Sequence, residues 1–194
     1  MFLRRRKLSS PDLRTEEYTM AKTSKEQHTE DAKKLLAELQ KNSNEKLDII
    51  AQRCGFSRQK AWKLIKELEK NNFIWGYTAI CDEEKTGQKH FTFYAKRTSN
   101  KIDEKTVNTV ISRKFEEAAI KLGVIVESSY YVHGEYDWVL TATAEDILQA
   151  KKFSDLLIAQ YPGVFERIAI MQTIIFIKRQ HILNPDRAKL KDLL

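Results

Sequence analysis

Two periods run along this 194-residue chain, and the change from one to the other marks its organisation. Up to about Ile74 the apolar positions recur every three to four residues, the spacing that gathers them on one face of a helix. From Gln88 onward stretches of strict alternation, the two-residue period of a half-buried strand, appear between helical stretches. In the first part Ala32, Leu35, Leu36 and Leu39 form one apolar stripe, with Thr29 placed to cap it, and Ala61, Leu64, Ile65 and Leu68 form another. Between them lies Leu47 to Cys54, followed by Gly55 and Phe56. Gly55 suits the left-handed conformation that ends a helix and reverses the chain, Ala51 is small enough for close helix approach, and Ser57 stands at the next N-cap. Three helices, the last two joined as a helix-turn-helix, are predicted over residues 30–74.

In the second part Phe91, Phe93 and Ala95 face one way and His90, Thr92 and Tyr94 the other. A helix is predicted next, with Val107, Ile111, Phe115, Ala118 and Leu122 on its buried stripe. A second strand follows over Val124 to Val132, a reversal over His133-Gly134-Glu135-Tyr136, a third strand over Asp137 to Thr143, and a helix over Glu145 to Tyr161. Phe165 to Lys178 reads as a long final strand. The order βαββαβ over residues 88–182 describes a ferredoxin-like α+β sandwich, an antiparallel sheet with both helices on one face. Its final strand is apolar on both sides: Ala169, Met171 and Ile175 against Ile168, Ile170, Ile174 and Phe176. A face of that kind left in water would be an unusually large apolar patch, so a homodimer joined through its sheets is predicted.

The flanks carry less pattern. Residues 1–29 are polar, hold Pro11 and lack a sustained period, which predicts a flexible basic extension. Within it Arg4, Arg5, Arg6 and Lys7 could add phosphate contacts, and Met20, which opens MAKTSKEQ, is an alternative translation start that intact mass would reveal. Residues 75–87 are predicted as a hinge strand or linker. The tail, 183–194, reads as a short helix capped at Asn184-Pro185 with Leu190, Leu193 and Leu194 on one side.

Charge sharpens the picture. The formal net charge is +7, and residues 1–80 hold 17 basic against 11 acidic residues, so almost all of the excess lies there. On the helix after Ser57, the residues Gln59, Lys63, Lys66 and Lys70 occupy the arc opposite the apolar stripe. Three lysines at helical spacing are ordinarily a solvated face. Placed on the second helix of a helix-turn-helix, in the basic part of the chain, they point to double-stranded DNA. Arg58, Gln59 and Lys60 at the helix start are then placed for base edges, and Lys63, Lys66 and Lys70 for phosphates. Trp62 flanks the stripe, either on the sugar-phosphate backbone or buried against a neighbour. Two units related by a two-fold axis would reach successive major grooves, roughly 34 Å apart, and read a pseudo-palindrome.

Other chemistry is sparse. Cys54 and Cys81 lie far apart, outside any C-x-x-C pair, and are expected to be small buried residues. His133, Glu135 and Asp137 invite a metal reading, but the turn breaks their alternation, and His28, His90 and His181 have no partner at ligand spacing. Asp137 fits a turn carboxylate bonding backbone amides. No apolar run approaches the roughly 20 residues that span a bilayer, and MFLRRRKLSS is not followed by a secretory apolar stretch, so a cytoplasmic protein with no bound cofactor is expected.

The segments LLAELQKNS, DIIAQRCGFSRQKAWKLIKELEKNNFIWGYTAICD, VHGEYDWVL and YPGVFERI resemble the Lrp/AsnC, or feast/famine, transcriptional regulators, over about Glu30 to Ile182. The resemblance implies a winged-helix or helix-turn-helix head, a hinge strand and a ligand-sensing ferredoxin-like domain that dimerises. It implies association into dimers, tetramers or octamers on DNA in the nucleoid, with an amino acid as effector. The family's effector site surrounds a Gly-x-Tyr-Asp turn, which here is Gly134, Tyr136 and Asp137, with Met171, Gln172 and Thr173 as neighbouring positions. Family members often carry a small hydroxyl residue before that glycine, where this chain has His133. The same scaffold also occurs in siroheme decarboxylases, an enzymatic alternative in which His133 would meet the porphyrin. A third reading is a small-molecule-binding oligomer acting through a partner protein.

Overall fold

A computed structural model describes residues 13–194, with side chains from residue 24 onward; Arg4, Arg5, Arg6 and Lys7 lie outside the described residues. The chain forms two units, the first built on residues up to Ala79 and the second from Ile80 onward, with the short stretch Gln180–Ile182 grouped with the first. Helix α1 spans Leu13–Lys41, α2 Leu47–Cys54 and α3 Arg58–Lys70. Leu35, Leu39, Ile50, Ala51, Cys54, Ala61, Leu64 and Leu68 are buried together as their common core. Gly55, at φ +72°, ends α2, and the Phe56 amide donates to Ala51 O at 2.8 Å as the chain reverses. The Ser57 hydroxyl accepts from the Lys60 amide at 3.2 Å, so α3 begins where its cap predicts.

Helix α1 starts upstream of its predicted cap. Thr29 lies inside the helix, its hydroxyl donating back to Lys25 O at 3.0 Å, because Lys25, Glu26 and Gln27 before it are good helix formers. The stretch from α3 to Lys89 holds no strand, although a hinge strand or linker is expected over residues 75–87; a single 3-10 turn, Glu84–Thr86, is the one regular element there.

That unit is an antiparallel sheet of β1 (Lys89–Arg97), β2 (Ile125–Tyr131), β3 (Trp138–Ala144) and β4 (Phe165–Gln172), in the order β2-β3-β1-β4. Phe93 sits opposite Leu140 on one side and Ile170 on the other. Helices α4 (Glu104–Ser112), α5 (Phe115–Lys121) and α6 (Ile147–Gln160) complete the ferredoxin-like arrangement. Phe91, Phe93, Trp138 and Leu140 from the sheet share a core with Phe115, Ala119, Phe153 and Leu157 from the helices. The alternation of β1 is thus the alternation of the sheet's two faces.

Three predicted elements of this unit differ. The helix predicted through 107–122 is broken at Arg113, which takes the left-handed conformation at φ +54°, while Thr109 and Ser112 turn their hydroxyls onto Lys105 O and Thr109 O. The break re-aims the stripe: Phe115 and Ala119 are buried, whereas Val107 and Ile111 are exposed. The final strand stops at Gln172, close to where β1 begins; the Thr173 amide donates to His90 O and the chain then departs. The following residues fold back, and Phe176 lies against the His90 ring at 4.8 Å, before the short strands β5 (Lys178–Arg179) and β6 (Ile182–Leu183). Part of the face assigned to a second subunit is therefore covered by this chain itself. The tail forms a 3-10 helix over Arg187–Asp192; before it the Asn184 side chain accepts from the Asp186 amide at 2.8 Å and donates to Phe176 O at 2.8 Å. Cys54 is buried as expected, but Cys81 is exposed.

Candidate nucleic-acid interface

Helix α3 buries Ala61, Leu64 and Leu68 and leaves Gln59, Trp62, Lys63, Lys66 and Lys70 exposed on its far side. The amphipathic spacing sets this division, and the Ser57 cap with Gly55 before it sets where the helix begins. Trp62 is half-exposed, not packed into the three-helix core.

The cations on this helix are not equivalent. Lys66 Nζ lies 2.7 Å from Glu69, whose other oxygen accepts from the Tyr77 hydroxyl at 3.1 Å. These two hydrogen bonds hold the Glu69 carboxyl below its ordinary range, Lys66 contributing most. Arg58 sits 3.6 Å from Asp48, both exposed, a pairing weak enough in water to exchange. Lys63 and Lys70 have no acidic partner among the described residues. Lys60, expected at base edges, is instead held by α1: its Nζ is 2.5 Å from Asp31 and 4.3 Å from the centre of the Phe56 ring. Beside it His28 Nε2 lies 3.0 Å from Glu67. A cleft of about 350 Å³ opens between these pairs. His28 stands in the stretch expected as an extension and Asp31 in the first turn after the expected cap at Thr29, so spacing marks neither as a partner of α3; the only signal is an acid one position before the Ala32 stripe.

The turn 133–136 is closed by the Val132 amide donating to Asp137 O at 3.0 Å. Asp137 Oδ2 accepts from the Arg97 amide at 2.8 Å, so its carboxylate bonds backbone across to the end of β1. Tyr136 packs on Tyr94 at 5.2 Å and lies under Arg167, which pairs with Glu135 at 2.7 Å. His133 and Gly134 are exposed. The structure does not bring all seven suggested effector positions together. In the register of β1 with β4, Lys96 meets Arg167 near the turn, while Thr92 meets Met171 and His90 bonds Thr173 further along. His133, Gly134, Tyr136 and Asp137 thus stand at one end of the sheet and Gln172 and Thr173 toward the other, with Met171 exposed between.

No group of three or more His, Cys, Asp or Glu that could hold a metal ion occurs among the described residues, and no described helix is long and apolar enough to cross a membrane.

Residues 32–74 match the model for winged helix-turn-helix DNA-binding segments. The chain is 26% identical over 134 residues to the DNA-binding transcriptional activator DecR of Escherichia coli, covering 68% of this chain and 82% of that one. It is 25% identical to the leucine-responsive regulatory protein of Salmonella typhimurium, covering 67% and 75%. Among solved structures, an AsnC family transcriptional regulator from Agrobacterium tumefaciens superposes with a TM-score of 0.59 at 24% identity, over 80% of this chain and 96% of that one. A Neisseria meningitidis transcriptional regulator crystallised with L-Met gives 0.59 at 19% identity, over 84% and 97%. These likenesses extend well beyond the helix-turn-helix, into the sheet unit.

Proposed function

We propose that this chain, a DNA-binding transcriptional regulator of the Lrp/AsnC type, binds pseudo-palindromic duplex sites as a homodimer and changes its affinity when a small molecule binds the sheet unit. The observation that carries the reading is the exposed arc of α3, with Gln59, Lys63 and Lys70 on a helix whose start is fixed by Ser57. Arg58 and Gln59 reach base edges in the major groove, and Lys63, Lys66 and Lys70 grip phosphates. Each copy supplies one such helix, so two-fold pairing supplies the half-site spacing of roughly 34 Å.

The pairing surface is the sheet's open face around Met171 together with Ile174 just beyond β4, which are 56% and 70% exposed and too apolar to be left in water without cost. An amino acid is the proposed effector, supported by the L-Met complex of the Neisseria relative and by a Gly-x-Tyr-Asp turn at Gly134, Tyr136 and Asp137. His133 beside that turn is expected to alter which amino acid fits.

Selection of bound fragments from random duplex DNA, with and without a panel of amino acids, tests the whole reading. A recovered site with two related half-sites about one helical turn apart is expected. Lys63→Ala should weaken binding to all sequences, and Gln59→Ala should mainly relax preference within a half-site. A monomer in sedimentation equilibrium at micromolar concentration, or recovered fragments with no shared sequence, would count against it.

A further inference from the structure

Two residues of α1 reach onto α3 from upstream of the segment that matches the winged helix-turn-helix model, which begins at residue 32. They are Asp31, on Lys60, and His28, on Glu67. Asp31 is the more telling. Its side chain is only 7% exposed, and three groups fix it or its partner: Lys60 Nζ at 2.5 Å, Gln27 Nε2 at 3.0 Å, and the Phe56 ring beneath the Lys60 ammonium. We propose that Asp31 is a positioning residue for DNA binding, withholding Lys60 from the duplex so that base reading falls to Arg58 and Gln59 and phosphate grip to Lys63, Lys66 and Lys70. This rests on the reading that α3 is the helix that meets DNA.

The physical reason is an exchange that DNA loses. To reach a phosphate, Lys60 must leave a carboxylate that water scarcely touches, and an uncompensated buried charge is far costlier than a surface ion pair is worth. Leaving also gives up the contact with the Phe56 ring. The hydrogen bond from Lys60 holds the Asp31 carboxyl below its ordinary range, so the withholding charge persists at neutral pH. One of the lysines nearest the start of α3 is therefore neutralised by the protein itself and releases no counterion from DNA.

The test uses the full-length chain and a fluorescein-labelled 30-base-pair duplex of random sequence, because phosphate grip is independent of sequence. Asp31→Asn frees Lys60 to make one more phosphate contact. Affinity should rise, the slope of log affinity against log salt should steepen by about 0.9, and the gain should shrink roughly threefold between 50 and 200 mM salt. Adding Lys60→Met to Asp31→Asn should remove the gain. A merely structural Asp31 would lower the melting temperature without steepening the salt slope, and that outcome overturns the proposal. Should Asp31→Asn fail to fold, the lysine ammonium resonances of the unaltered protein decide: Lys63 and Lys70 shift on adding duplex and Lys60 does not. A Lys60 shift as large as that of Lys63 overturns the proposal. Lys63→Met, run alongside, tests the α3 reading separately, since weakened binding there upholds it whatever Asp31 does.

Discussion

The three-helix unit and the sheet unit put charge to opposite uses. On α3 every cation but Lys60, which Asp31 holds, stands in water or shares a carboxylate at its edge, and Lys63 and Lys70 carry no acidic partner among the described residues. In the sheet unit Arg179 is drawn inward, bound to Glu83 and 2.5 Å from Glu127, with His90 packed between Phe176, Thr173 and Glu127. Arg179, Glu83 and Glu127 expose only 20%, 15% and 23% of their side chains. The first arrangement leaves charge available to a polyanion; the second spends it on tying the chain's return segment to the sheet. A basic residue count alone cannot separate the two, because a lysine in solvent and an arginine between two glutamates contribute equally to net charge and very differently to binding.

Removing core from the sheet unit should give the largest effect. Phe115 is fully buried, edge-on to Trp138 at 5.7 Å, and Phe115→Ala should cost about 3–5 kcal/mol in denaturant unfolding while α3 keeps its exposed face. Second, Arg179→Ala leaves Glu83 and Glu127 facing each other across a poorly solvated space and should cost about 2 kcal/mol, discounted from the fully buried case for the water that still reaches them. If that variant lost DNA affinity at unchanged stability, the contrast between the two units would fail. Third, Ser57→Ala removes the hydroxyl that accepts from the Lys60 amide and should cost about 1 kcal/mol, read by unfolding of the three-helix unit.

The smallest effect should be one of pH. Burial pushes the His90 imidazole below its ordinary range, opposed by Glu127 and reinforced by Arg179. A histidine so depressed favours its neutral form in the folded state, so the unfolded chain takes up the proton first. Its stabilisation is complete above about pH 6.5 and falls away as pH drops from there through the lower folded value. His90→Gln should flatten the dependence of unfolding free energy on pH over that window. An unchanged slope would show that the histidine is not the titrating group.

Much of the architecture could be read from local pattern, and the misses have two causes, side chains that bond their own backbone and contacts between distant segments. The cap at Ser57, the reversal at Gly55 and the alternation of β1 each depend on residues within a turn or two of one another, so spacing alone carries them. The helix through Arg113 also looked continuous by spacing, yet two hydroxyls bonding backbone carbonyls and one left-handed residue broke it. Placement of the site residues divides the same way. Gln59, Lys63 and Lys70 are exposed as helical periodicity requires, while Lys60 shares their sequence neighbourhood and is held by an acid on another helix.

By itself, then, the sequence determined the three-helix head, the βαββαβ order and the face on which α3 carries its cations, because each follows from the period of apolar side chains and from caps that act over three or four residues. Only the tertiary structure decided which charges remain available. Asp31 meets Lys60 across two helices; Arg179 meets Glu83 across 96 positions. Glu127 reaches Arg179 and His90 from the point where the pairing of β2 with β3 slips by one residue, between Val126 and Ser128. Such pairings depend on where packing brings distant segments, and in a low-dielectric setting they decide the fate of a charge that periodicity can only place on a face.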